Sequence, residues 1–143
     1  MLAVITGLAG AAAMALMVGA CSPEPRDLDA AVDPEDGARM DFVNLCSDCH
    51  GPGGKGDGRA APGMVPPPSD LTTISARNGG VFPKAQVAGH IYGHTMGRSD
   101  SPMPQFGDLF AGPEIMYETG KDQVTPTPAR LAALTDYLAE NQE

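Results

Sequence analysis

Cys46-Ser47-Asp48-Cys49-His50 sets two thiols three residues apart, with an imidazole immediately after the second. On a helical turn this spacing lets both sulfurs reach the two vinyl groups of one porphyrin. The imidazole then lies beneath the ring, with a nitrogen to offer to iron. The pattern is the attachment signature of c-type haem. Two other uses of paired cysteines compete with it. A thioredoxin-like CxxC needs a βαβ context, and the flanking sequence shows none. A zinc site needs two more ligands, and the spacing of His50, His90 and His94 fits no common zinc module.

Upstream, Met1–Ala20 carries no charge and is rich in Ala and Gly. Its length suits a membrane span, but its small-residue end better suits a secretory signal, although a basic n-region is missing. Val18-Gly19-Ala20-Cys21 looks like a bacterial lipobox, with cleavage before Cys21 and lipid on its thiol. An uncleaved helix and a plain cleaved signal are the alternatives. All three place the remainder outside the cytoplasm, where c-type attachment takes place. The three cysteines are then accounted for, with haem on Cys46 and Cys49 and lipid on Cys21.

Ser22–Asp36 holds three Pro, six acids and one Arg, and reads as a solvated tether. The expected organisation is residues 1–20 as signal, 21–36 as lipidated tether and 37–143 as the folded domain. The whole chain has a net charge of −9, which excludes a nucleic-acid binder. It has 18 Gly, 14 Pro, no Trp, four Phe and three Tyr. A domain so poor in large apolar side chains needs help to fill its core, and a prosthetic group supplies it.

Within the domain, Ala38–Cys46 predicts a short helix with Met40, Phe42, Val43 and Leu45 on its apolar face. Gly and Pro exclude regular structure from Gly51 to Asp70. Gln86–Tyr92 predicts another helix, and Pro113–Gly120 one helical turn. The last helix is the clearest. Thr127 is its expected cap, Pro128 sits in its first turn, and Leu131, Leu134 and Leu138 form its stripe, with Tyr137 beside it. No alternating strand pattern stands out.

CSDCHG, the GGKGDG that follows, Ser101-Pro102-Met103-Pro104-Gln105-Phe106-Gly107 and the LxxYL of Leu134, Tyr137 and Leu138 carry a resemblance. Over Gly37–Gln142 the chain resembles the class I c-type cytochromes, and its GxGDG variant the bacterial periplasmic single-haem branch. The resemblance implies an all-α, small cytochrome c fold of about four short helices and long loops around one covalent haem c. It implies packed N- and C-terminal helices, a loop proline carbonyl supporting His50, and Met103 as the sixth iron ligand. Pro62, Pro66, Pro67 and Pro68 are all candidates for the carbonyl. Two departures accompany it. The Gly37-to-Phe42 spacing is one residue long, and Gly112–Pro126 reads as an insertion, a candidate partner-facing lobe.

The residues themselves also favour Met103, because prolines on both sides hold its loop extended and aim the thioether. Met96 is the alternative, as is a second histidine from His90 or His94, which gives a lower potential than Met/His ligation. Arg77, Arg98, Lys55 and Arg59 are candidate donors to the haem propionates. The Gly run Gly51–Gly58 lacks the strand and GK[ST] of a phosphate cradle, and reads as tight backbone around the haem edge.

The expected function is that of a membrane-anchored electron carrier facing the periplasm, with the outer membrane favoured because Ser follows Cys21. It takes redox protein partners and no nucleic acid or small-molecule substrate, and is not an enzyme by itself. The alternatives are a haem subunit of a dehydrogenase or oxidase complex, and a ligand-binding sensor or peroxidase-like subunit with an open distal position.

Overall fold

Helix α1 (Pro34–Asp41) opens the fold in a computed structural model that describes residues 33–94 and 102–143. Asp33 caps it, accepting from the Glu35 N–H at 2.9 Å, and Pro34 takes the first turn. Pro34–Asp36, expected in the tether, is therefore helical. The helical path continues through a π-helical stretch, Phe42–Cys46, into α2 (Ser47–His50). Ala38 and Phe42 are buried, whereas Met40 and Val43 are half exposed. The expected apolar face is thus corrected: spacing of four through Ala38 and Phe42, then Leu45, turns Met40 and Val43 to water. Ala38, four positions before Phe42, is buried with it.

After a loop without regular structure come a 3₁₀ turn (Leu71–Thr73), α3 (Ile74–Arg77) and α4 (Lys84–Tyr92). α4 ends at Gly93, whose left-handed φ of 110° terminates the helix. A second 3₁₀ turn (Gly107–Phe110) precedes a feature that the sequence reading missed. Glu114–Gly120 (β1) and Gln123–Pro128 (β2) pair as an antiparallel hairpin, with Tyr117 opposite Thr125. The expected all-α architecture is therefore corrected to a mixed one, about 47% helix and 12% strand of the described residues. Met116 lies exposed while Tyr117 and Thr119 are buried, so the strand has one anchored face and one solvated face.

α5 (Ala129–Glu140) closes the chain. Pro128 stands at its N-cap without a side-chain cap. Thr127, expected to cap, instead donates its hydroxyl to the Thr125 carbonyl at 3.0 Å within the hairpin. Leu131, Leu134 and Leu138 are buried as their spacing predicts, and they form the core with Phe42, Ala88, Ile91 and Phe110. α5 packs against α1. Phe42 and Tyr137 meet with ring centroids 5.6 Å apart, and Arg130 forks onto the buried Asp41 carboxylate, with Nε at 2.6 Å.

Candidate functional site

Cys46, the last residue of the π-helical stretch, and Cys49 and His50 of α2 line one wall of a cavity of about 830 Å³. The glycine-rich loop is what holds this end of the helix in place. The last carbonyls of a helix have no intrahelical partner. Here Ala60, Gly58 and Gly56 donate their N–H groups to the carbonyls of Asp48, Cys49 and His50, at 2.8, 3.1 and 2.8 Å. This wrap needs glycine at two points. A Cβ on Gly58 would stand 2.3 Å from the Asp48 oxygen. One on Gly56, at φ 79°, would stand 2.4 Å from the Pro68 oxygen.

His50 Nδ1 donates to the Ser69 carbonyl at 2.9 Å. That bond fixes the tautomer and leaves Nε2 with its lone pair for a metal. The acceptor is the residue after Pro68, not one of the four prolines expected to supply it. No residue type announces a backbone carbonyl, so only the fold could single it out. Burial first, then the charge of Asp41, then Cys49, push the Cys46 thiol up to about 11. At neutral pH it stays protonated, away from the thiolate chemistry of disulfide exchange.

The other walls are largely apolar. Leu71, Ile74, Val87, Ile91, Phe106 and Leu138 line the cavity, and Met103 does so between Pro102 and Pro104. The structure therefore brings Cys46, Cys49, His50 and Met103 to one cavity. His90 and His94 line it as well, so the histidine alternatives for the distal position share the same space. Met96, Arg98 and Cys21 lie outside the described residues. Of the other expected propionate donors, Arg77 lines the cavity. Arg59 instead pairs with Asp48, at 3.0 and 3.1 Å, and Lys55 with Glu143, at 2.5 Å.

These residues fit a c-type haem. The cavity falls within the roughly 300–1,000 Å³ of sites that enclose a whole small molecule. It is apolar, with two thiols and an oriented imidazole on one wall and a thioether among the other lining groups. Cys46, Cys49 and His50 would hold the group, and Met103 would offer it a thioether.

No protein-family model, no curated protein and no solved structure matches the chain.

Proposed function

We propose that this chain is a single-haem c-type cytochrome of the class I type, an electron carrier working outside the cytoplasm and tied to a membrane by lipid on Cys21. One observation carries the reading. The CxxCH turn faces a large apolar cavity that Met103 also lines, and His50 is oriented by a carbonyl on its far nitrogen. When bound, haem supplies a one-electron ferric–ferrous couple, with a potential raised by Met/His ligation.

The chain's own residues do the rest. Cys46 and Cys49 would anchor the group. The Ser69 carbonyl holds the His50 ring in one orientation. Apolar side chains such as Leu71, Ile74 and Val87 would border the group. His50 and Met103 would both hold the haem from the chain, which favours carriage over catalysis. Arg77, at the cavity, is the described cation best placed for a propionate.

The test is a spectrum of the chain expressed with a c-type maturation system. Haem should stay bound through acid-acetone extraction, and the reduced bands should not change under CO. Extractable haem would refute covalent attachment. A CO-shifted spectrum would favour the sensor or peroxidase-like reading.

A further inference from the structure

The end of α5 grips the segment that follows Ser69. Gln142 Nε2 donates to the Leu71 carbonyl at 2.8 Å and to the Leu138 carbonyl at 2.7 Å. Its Oε1 accepts from the Ser75 N–H at 2.8 Å. A primary amide has two N–H donors and one carbonyl oxygen, so Gln142 has both donors and its oxygen engaged. Leu71 is held from its other side too, since its N–H donates to the Gly54 carbonyl at 2.7 Å. One residue past Gln142, the Glu143 N–H donates to the Thr72 carbonyl at 2.8 Å.

Between this grip and Ser69 stands only Asp70. Its carboxylate accepts from the Thr72 N–H at 2.8 Å and from the Thr72 hydroxyl at 2.6 Å. The link is therefore a closed turn, and a shift at Leu71 reaches Ser69. On the other flank Pro68 restricts φ. The Ser69 carbonyl, which accepts from His50 Nδ1, is thus placed from one side by proline and from the other by the end of α5.

We propose that Gln142 is a positioning residue for the proximal imidazole. By clasping Leu71 it keeps the Ser69 carbonyl on His50 Nδ1, and so sets how strongly His50 donates to iron. The inference rests on the haem reading above. A firm acceptor on Nδ1 makes Nε2 a better donor and favours ferric iron. Loosening the clasp weakens that donation and raises the midpoint potential.

The experiment compares full-length, haem-loaded Gln142→Ala, Gln142→Glu and Asn141→Ala with wild type. Asn141 is the control, because its side chain bonds the Tyr137 carbonyl at the same helix end and none of residues 69–75. Redox titration poised at the wild-type midpoint should find Gln142→Ala about three parts ferrous to one ferric. That ratio is a rise of about 28 mV at 59 mV per tenfold. The His50 Nδ1 proton, followed by NMR, should exchange faster with solvent. Asn141→Ala should lose stability without either change. Gln142→Glu keeps an acceptor for Ser75 but loses both donors, so it should shift the same way. It carries the comparison if Gln142→Ala does not load haem.

Unchanged potential and proton exchange in haem-loaded Gln142 variants would overturn the proposal. So would an equal shift in Asn141→Ala, which would mark a general loosening of the helix end. A wild-type chain without covalent haem would overturn the function reading as well, and the wild-type spectrum tells the two failures apart.

Discussion

Met103 and Tyr117 differ in how much of their placement the sequence discloses. Prolines 102 and 104 single out Met103 in the sequence, and it lines the same cavity as the CxxCH turn. Met103→Ala should abolish the weak red-edge absorption of Met-bound ferric haem and lower the potential. An intact band and potential would transfer the role to Met96 or a histidine. Tyr117 looked like part of a possible helical turn, yet its hydroxyl donates to Asp136 Oδ1 at 2.6 Å and Lys84 sits over its ring at 5.1 Å. Burial first, then that hydrogen bond and the Asp136 charge, push its phenol well above the ordinary 10.0. The fold thus favours the neutral phenol. Its contribution is whole below about pH 10 and is lost as pH rises beyond that, because only the unfolded chain gives up the proton easily. Denaturation series at pH 8 to 11 should show this decline in wild type and a shallower one in Tyr117→Phe. Parallel curves would show that Tyr117 is not the group responsible.

Among the elements, the helices were readable and the hairpin was not. Leu131, Leu134 and Leu138 repeat at helical spacing and are buried. β1 mixes Glu, Met and Gly with its two buried residues, and β2 contains Pro126 and Pro128. Alternation is blurred because only Tyr117 and Thr119 of β1 face the fold, while Ile115 and Met116 stay exposed. The junction of α1 with α5 offers the sharpest test at this scale. The Asp41 side chain is 7% exposed and that of its partner Arg130 57%. Arg130→Met strands a buried carboxylate. The expected cost is roughly 2–3 kcal/mol, below the 3–5 of a fully buried pair because Arg130 keeps much of its hydration. Asp41→Asn should cost less, since a neutral amide needs no counter-charge. Urea titration measures both, and an Arg130→Met loss within about 0.5 kcal/mol would reduce the pair to surface decoration.

For the molecule as a whole, composition announced what the cavity displays. Ten apolar residues form the buried set among the described residues, and three of them are alanine. A cavity of about 830 Å³ lies beside that small core. Replacing both Cys46 and Cys49 with Ala should therefore give a chain that does not fold cooperatively, because what would fill the space is no longer held. Circular dichroism and a thermal scan decide it, and a helical, cooperatively melting double variant would mean the core stands alone. The sequence announced the thiols and imidazole because chemistry dictates their spacing. The Ser69 carbonyl and the Gln142 clasp stayed hidden because backbone groups and a lone amide take meaning only from folding.

Pro126 and Pro128 give the hairpin a further property. Its two strands adjoin in the chain, so it can close before segments distant in the chain come together. A lone ribbon in such an unfinished chain is a template for a neighbour's strand. β2 meets that hazard with two positions that have no hydrogen to give, and β1 carries Glu114 and Glu118. The same features that hid the strands from a pattern search protect the immature chain from its own copies.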